Sequence, residues 1–434
     1  MFHVKEHGTS IRKEIVAGLT TFLTMAYIMV VNPIILADAG VPFEQSFTAT
    51  ILAAAVGTLF MGLLANYPFA VAPGMGLNAY FAYSVVLAQG GAIDYRIAFS
   101  AVFVTGLLLV LLSLTPLRTK LIEVIPRSMK HAITAGIGLF IAFIGLRLSG
   151  LIVADPSNLV KLGNLHSPSV VLALTGLLVT LVLLVRNVNG ALFIGMVITG
   201  IIAYLSGYLW FSNGFVGTPG LPEGLLVWNP VTAVGDVIRY GLYGVVFSFF
   251  LVTLFDTTGT LLGLGEQAGF MREGKLPRSG RALFSDSAAT LFGSMAGTSP
   301  STAYIESASG VGAGGRTGLT AIVIAVLFGL SAFFGPTIGA IAGISAITSP
   351  ALIIVGSFMI TSVKHIEWDK FHEAFPAFLV ILSMPLTSSI GTGIALGFIS
   401  YPIMKAAKGL WKDIHPLMAI LALLFIYQLV FLPH

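Results

Sequence analysis

Long apolar runs separated by short polar stretches account for nearly the whole chain. A helix needs about 20 apolar residues to cross the hydrocarbon core of a bilayer, so the pattern predicts an all-α membrane protein with 14 transmembrane segments. A further apolar run at 415–432 is either a fifteenth span or a helix lying on the membrane. The 14 runs cover residues 14–36, 47–66, 70–88, 96–115, 129–153, 168–186, 190–210, 239–264, 282–297, 301–313, 318–342, 347–363, 373–388 and 389–405.

The composition is typical of a chain embedded in lipid. Hydrophobic residues make up 56% of the sequence and charged residues only 9%, whereas a soluble domain carries about 25% charged residues. The 49 glycines allow helix backbones to approach closely where hydrophobicity cannot drive their association. The lack of cysteine excludes disulfides and thiolate sites. We expect no separate soluble domain, no cofactor and no nucleic-acid partner.

Basic residues are concentrated in alternate loops between the predicted segments. The intervening loops at 89–95, 154–167 and 211–238 carry few Lys or Arg. Because cytoplasmic loops are enriched in these residues, we expect a protein of the cell (inner) membrane with both ends of the 14-segment block in the cytoplasm. The residues assigned to that side are Arg118, Lys120, Arg127, Lys130, Arg186, Arg272, Lys275, Arg278, Arg281, Arg316, Lys364, Lys370, Lys405, Lys408 and Lys412.

Two segments are poorly suited to a continuous helix. Residues 70–80 place Pro73 and two glycines in an apolar run, and residues 297–307 are polar and contain Pro300. Proline and glycine interrupt helices. Unpaired backbone is so costly in lipid that such segments must be covered by protein or line a cavity. Paired interruptions in the two halves of a transporter indicate its binding site.

The two broken segments occupy matching positions in the chain. The string Thr-Leu-Phe at 58–60, followed by Pro68, recurs 232 residues later at 290–292, followed by Pro300. Together with the even number of segments, this echo predicts two repeats of seven segments each. An odd number of spans per repeat makes the second copy inverted relative to the first.

Two carboxylates lie deep in predicted segments. Asp256 is inside the eighth segment and Glu306 is in the second broken segment. Charged groups within a membrane are costly and are candidates for function. No Lys or Arg lies at comparable depth, so each acid either takes up a proton or is satisfied by a ligand and neighbouring donors. The competing interpretation is a structural carboxylate that accepts hydrogen bonds from the backbone.

A pair of carboxylates restricts the ligand. It repels an anion, and a metal ion would need more oxygen ligands, although Na⁺ can use backbone carbonyls; we predict no metal site. A neutral planar heterocycle with adjacent N–H groups suits a carboxylate, because two parallel charge-assisted hydrogen bonds form in the ring plane. Nearby groups that can contact ring edges are Asn78, Thr260, Tyr304 and Ser307, and the aromatic side chains that can stack, although core or lipid-facing packing is commoner for each, are Tyr80, Phe81, Phe250 and Phe255.

The same carboxylates can couple transport to protons. A buried acid can load a proton on one side of the membrane and release it on the other, and we favour Glu306 over Asp256 for this role. Asp286, near the start of the ninth segment, either caps that helix, which we favour, or takes part in coupling. The sequence contains no Walker A motif, nucleophile elbow or paired-histidine zinc motif, which argues against ATP-driven transport and against an enzyme.

Four strings together resemble the AzgA-like purine permeases, a branch of the nucleobase–cation symporter (nucleobase–ascorbate transporter) superfamily. They are TMAY at 24–27, APGMGLNAYF at 72–81, FDTTGT at 255–260 and SPSTAYIES at 299–307. The resemblance extends over nearly the whole chain. It implies 14 spans in two inverted repeats, short β-strands in segments 3 and 10, and often a homodimer.

The resemblance also implies domains and site residues. A core (substrate) domain would comprise 14–115 and 239–342, a gate domain 129–210 and 347–405, and an extra hydrophobic helix 415–432. The substrate-binding candidates are Thr24, Gly76, Asn78, Asp256, Thr260, Tyr304, Glu306 and Ser307.

The function implied is import of purine nucleobases (adenine, guanine or hypoxanthine) by proton symport with an elevator or rocking cycle. Sodium coupling stays open. The alternatives are a proton- or sodium-coupled carrier of another solute such as uracil or xanthine, and a passive channel. Asp256 and Thr260 stand where uracil and xanthine permeases carry Glu and often His, which favours the purine branch.

Overall fold

The structure is a computed structural model that describes residue 2 and residues 4–87, 93–115, 126–212, 214–220, 224–272 and 276–431. The predicted cytoplasmic residues Arg118, Lys120 and Lys275, and residue 432 of the last apolar run, lie outside these ranges. The described chain is mostly helical, with two small antiparallel sheets.

The helices follow the predicted apolar runs. Among them are two wider π-helical turns, Met61–Ala65 and Tyr80–Val86, which continue α3 and α4. The helices are α1 Ile11–Met25, α2 Ile28–Asp38, α3 Phe43–Phe60, α4 Met75–Ala79, α5 Tyr95–Ser113, α6 Arg127–Leu148, α7 Pro168–Val185, α8 Ala191–Leu205, α9 Pro230–Arg239, α10 Tyr243–Gln267, α11 Ser279–Ala296, α12 Ser307–Gly312, α13 Gly318–Ser331, α14 Gly335–Ala342, α15 Ser345–Ile360, α16 Phe371–Thr387, α17 Ile390–Ala407 and α18 Pro416–Phe431.

Nine helices within the described ranges are long and apolar enough to cross a membrane, counting α1 with α2 and α13 with α14 as single spans. The shorter helices α8, α16 and α18 are also apolar. Helix α11 is less hydrophobic because it is buried by protein: it packs between α3 and α5, and its small polar residues, including Ser285, Ser287 and Ser294, are buried. The chain is therefore a multi-pass membrane protein.

The helices pack in two groups. Helix α6 packs against α15 and α16, α16 packs against α17, and α7 packs against α8 and α15. In the other group, α11 contacts α3 and α5, and α13 contacts α1 and α3. The two broken segments lie with the second group, and α4 also contacts α6 and α10.

The two interrupted segments pair with each other. Strand β1 (Val71–Pro73) runs antiparallel to β4 (Ser301–Ala303), with Ala72 opposite Thr302. A second hairpin, β2 (Ile152–Asp155) with β3 (Leu159–Leu162), lies in the loop after α6. The expected strands in segments 3 and 10 are therefore present.

The backbone of the β1–β4 pair is satisfied by side chains as well as by the partner strand. The Thr58 hydroxyl donates to the Val71 oxygen at 2.9 Å and accepts from the Val71 nitrogen at 3.0 Å. The Thr290 hydroxyl makes the same two contacts with Ser301, both at 3.1 Å. These are the threonines of the repeated Thr-Leu-Phe string, so the echo in sequence corresponds to equivalent structural roles. Such pairing removes the cost of unsatisfied backbone at membrane depth.

A buried carboxylate that sequence analysis missed fixes the chain after α12. Glu14 of α1 accepts from the backbone nitrogens of Arg316 at 2.9 Å and Thr320 at 3.1 Å, and from the Thr320 hydroxyl at 2.6 Å. It thereby satisfies free N–H groups at the start of α13, and it joins α1 to the segment that follows the site.

The last apolar run forms helix α18. It packs along α17, and its Phe425 ring lies 5.4 Å from that of Phe247 and 5.6 Å from that of Phe398. One face is buried, whereas Leu423 and Val430 on other faces are exposed.

Candidate functional site

The two predicted carboxylates lie together beside the strand pair. Asp256 projects from the middle of α10, and Glu306 immediately precedes α12. The Asp256 carboxylate lies close enough to interact electrostatically with that of Glu306 and with the Thr302 side chain of β4. Both acids are half-buried. Two acceptor groups thus converge where the interrupted backbone of segment 10 meets α10.

Tyr27 holds one oxygen of Glu306. Its hydroxyl donates to Glu306 Oε1 at 2.7 Å, and its side chain is 1% exposed. Residues Ala26 and Tyr27 join α1 to α2 through tighter backbone hydrogen bonds, such as that from Val30 to Tyr27. A local change of this kind in a long helix often marks a functional position. Tyr27 belongs to the TMAY string at 24–27, but no pattern in the sequence indicated this role.

The site opens along one face of α10. Thr260, one turn beyond Asp256, is also half-buried. Gly259 and Gly263 flank Thr260 on the same side of the helix; both are exposed, and an added Cβ at either would meet no atom within 4 Å. A stripe of small residues therefore leaves space from Asp256 toward the Gln267 end of the helix.

Toward the Tyr243 end of α10, the two groups of helices contact each other and cover the site. The Ser84 hydroxyl donates to the backbone oxygen of Ser388 at 2.7 Å. A Cβ at Gly391 of α17 would lie 2.9 Å from the Tyr80 hydroxyl. These contacts cover the site toward the Tyr243 end of α10, whereas Gly259 and Gly263 are exposed toward the Gln267 end.

Three predicted site residues make structural hydrogen bonds. The Ser307 hydroxyl accepts from the Ala70 nitrogen at 3.0 Å, and the Tyr304 hydroxyl donates to the Pro73 oxygen at 2.5 Å. The Thr24 hydroxyl donates to the Thr21 oxygen at 2.7 Å and lies 3.0 Å from that of Ser309. These side chains hold the broken segments in place around the carboxylates.

Gly76 allows α4 to approach α6. A Cβ at position 76 would lie 2.3 Å from Cγ2 of Ile137, a branched side chain with little freedom to move away. The glycine thus permits a close contact between one broken segment and the helix group that contains α6.

We expect Gly76→Ala to reduce the transport rate about tenfold, because overpacking costs about 1–3 kcal/mol. Adding Ile137→Ala removes the colliding group and should restore much of the rate, measured as solute uptake per amount of membrane protein. Gly200→Ala is the matched control, since its Cβ would meet no atom within 4 Å. A Gly76→Ala protein as active as wild type would contradict this role for the contact.

Asn78 and Asp286 are both fully buried. Asn78 Nδ2 donates to Asn32 Oδ1 at 3.0 Å. Asp286 lies in the interior of α11, where its Oδ2 accepts from the Thr257 hydroxyl at 2.8 Å. The expectation that Asp286 caps its helix is wrong, because α11 begins at Ser279, about two turns before Asp286.

The aromatic candidates pack mainly against protein. Phe81 stacks on Phe99 at 4.5 Å, and Tyr80 contacts Phe249 edge to face at 5.0 Å. Phe250 lines an apolar groove on the surface between α5, α9 and α10. Phe255 alone lies next to Asp256 in the chain, with the Lys130 ammonium 5.9 Å from its ring.

A metal site needs several convergent ligands. Across the described ranges, no group of three or more His, Cys, Asp or Glu side chains is arranged to hold a metal ion. The His131 and His365 rings do lie 5.0 Å apart, a proximity that their separation in sequence did not indicate.

Comparison with known proteins identifies the family. The sequence profile of the Permease family matches residues 12–396. The chain belongs to the Permease family. The guanine/hypoxanthine permease PbuO of Bacillus subtilis is 65% identical to this permease over 429 residues, covering 99% of each chain. The adenine permease AdeP of Escherichia coli is 45% identical over 433 residues, covering 100% of this chain and 96% of its own.

These relatives confirm the resemblance to purine permeases that the four strings indicated, and they make this permease a transporter rather than an enzyme. Among solved structures, the transmembrane domain of a cyanobacterial bicarbonate transporter, BicA, superposes with a TM-score of 0.62. It covers 89% of this permease and 97% of that domain at 15% identity. That likeness establishes a shared fold of the transporter type.

Proposed function

We propose that this permease imports purine nucleobases by proton symport. The observation that carries the proposal is the convergence of the Asp256 and Glu306 carboxylates beside the β1–β4 pair. Carboxylates accept in-plane hydrogen bonds from adjacent N–H groups of a neutral ring. The names of the relatives, which are guanine/hypoxanthine and adenine permeases, support the same substrate class.

The proposal includes the topology. Fourteen segments in two inverted repeats would consist of the apolar helices, α11 and the two broken segments. Residues 14–115 and 239–342 form the core domain, and residues 129–210 and 347–405 form the gate domain; the two packing groups support this division. Positive loop charges support both ends of the block in the cytoplasm of the inner membrane. Homodimerisation stays a prediction.

Alternating access follows from the same division. With the Gln267 end of α10 in the cytoplasm, the open face of α10 corresponds to an inward-facing state. The contacts of Ser84 with Ser388 and of Tyr80 with Gly391 close the outer side. Movement of the core domain against the gate domain would break these contacts and expose Asp256 to the outside.

One uptake panel tests the function. Labelled hypoxanthine uptake is measured in a host that lacks its own purine permeases, with unlabelled adenine, guanine, xanthine and uracil as competitors. We expect competition by adenine and guanine, and loss of uphill accumulation with a protonophore. Competition by uracil or xanthine alone would instead support a carrier of those solutes. Accumulation that depends on a Na⁺ gradient would identify Na⁺ as the coupling ion in place of protons. Uptake that never exceeds equilibrium would indicate a passive channel.

Tyr27→Phe is expected to raise the KM for hypoxanthine about tenfold. The substitution removes the hydroxyl that orients Glu306 Oε1, and a hydrogen bond to a charged group contributes about 1.5–3 kcal/mol. The measurement is initial-rate uptake at matched amounts of membrane protein. Tyr243→Phe, at an exposed position on α10, is the control. An unchanged KM would remove Tyr27 from the site.

A further inference from the structure

A buried polar network surrounds Asn32 of α2, a residue with no role in the sequence analysis. Asn32 Nδ2 donates to the Thr50 hydroxyl at 2.7 Å and to the Thr298 hydroxyl at 2.8 Å. Asn32 Oδ1 accepts from Asn78 Nδ2 at 3.0 Å and from the Ser299 hydroxyl at 3.4 Å. The Asn32 side chain is 0% exposed. Both donors and both acceptor positions of this amide are therefore used.

The partners of Asn32 dictate the direction of its amide. A hydroxyl has a single proton to donate, and that of Thr50 goes to the backbone oxygen of Ser46 at 2.6 Å. Thr50 can therefore only accept from Asn32, so the nitrogen of Asn32 must face Thr50. The oxygen of Asn32 then faces Asn78, and Asn78 must present its own nitrogen in return.

This leaves the oxygen of Asn78 as an acceptor without a partner in the network. Within the described part of the chain, Asn78 Oδ1 is buried and has no hydrogen-bond partner. Buried acceptors without partners are uncommon because they are costly. Asn78 lies on α4, which packs against α10, the helix that carries Asp256. A donor on a bound ligand would satisfy this oxygen.

We infer that Asn32 is a positioning residue that locks the Asn78 amide with its oxygen toward the transported base, and that the site thereby selects bases by their ring N–H donors. This inference rests on the proposed function. The Asp256 carboxylate is an acceptor too, so it and the Asn78 oxygen both take N–H donors from the base. A base whose N–H is replaced by N–CH₃ at the edge facing Asn78 loses a hydrogen bond and collides with the oxygen.

N-methylated purines test the inference. Inhibition of labelled hypoxanthine uptake is measured with 1-, 3-, 7- and 9-methylhypoxanthine. In wild type we expect at least one analogue, methylated at the N–H facing Asn78, to inhibit at least tenfold more weakly than hypoxanthine. Asn32→Leu keeps the shape of the side chain and removes its hydrogen bonds. It should raise the KM for hypoxanthine about tenfold with little change in Vmax. It should also abolish the weaker inhibition by the analogue methylated at the N–H that faces Asn78, and leave inhibition by the other analogues unchanged.

A second pair of variants protects the test against misfolding. Thr50→Val removes the acceptor that sets the direction of Asn32 and should weaken the same discrimination, whereas Thr50→Ser keeps the hydroxyl and should match wild type. Unchanged discrimination in Asn32→Leu and Thr50→Val, at normal amounts of membrane protein, overturns the inference while purine transport stands. Absence of purine uptake in wild type overturns the proposed function itself.

Discussion

Asp256→Ala is expected to lower purine uptake about a hundredfold without loss of protein from the membrane. The Asp256 carboxylate is half-buried beside Glu306 and Thr302, and a charge-assisted hydrogen bond to a bound base contributes about 1.5–3 kcal/mol. Loss of about 3 kcal/mol corresponds to a factor of about 100. Uptake of labelled hypoxanthine, normalised to the amount of permease in the membrane, measures the effect.

Two controls make the Asp256 result specific. Asp256→Asn keeps the size of the side chain and removes the charge, so it separates charge from shape. Glu266→Gln lies on the same helix at an exposed position and should transport like wild type. Full transport by Asp256→Ala would show that Asp256 is not part of the binding site. The fold and the membership of the Permease family would stand, but the proposed site would not.

Glu306→Gln is expected to separate binding from proton coupling. A glutamine keeps a hydrogen-bonding oxygen but cannot take up a proton, so uphill accumulation should be lost while exchange of internal for external hypoxanthine persists. In wild type, uptake should rise as the external pH falls, because protons enter with the base. In Glu306→Gln that dependence should be flat. The titratable groups that face Glu306 are Tyr27, Asp256 and Tyr304.

The measurements for Glu306 are net uptake and exchange across a range of external pH. Glu44→Gln, at the start of α3 and away from the site, serves as the control. If Glu306→Gln retains the wild-type pH profile, the coupling role moves to Asp256 or to another acid such as Asp286.

The sequence determined the placement of the apolar helices and of the two acids among them. Composition and run length identified the spans, because only segments that satisfy their own backbone can cross lipid. Pro73 and Pro300 located the broken segments, and the strings around Asp256 and Glu306 indicated the family. Even the weak echo of Thr58 and Thr290 corresponds to equal contacts with β1 and β4.

Only the tertiary structure decided which partners surround those groups. Tyr27 lies 279 positions from Glu306 in the chain, and Asn32 lies 46 positions from Asn78. No local pattern links such pairs. Gly76 also lies against a helix of the other packing group, a contact that no sequence pattern indicated.

The physical reason is that an apolar residue facing lipid and one facing another helix are equivalent in hydropathy. Periodicity along a membrane helix therefore says that it spans, but not which face meets which neighbour. The sequence determined which stretches form apolar helices, where the two interruptions lie and where the two acids lie. The packing of distant helices decided how Glu306 is held and which way the Asn78 amide points.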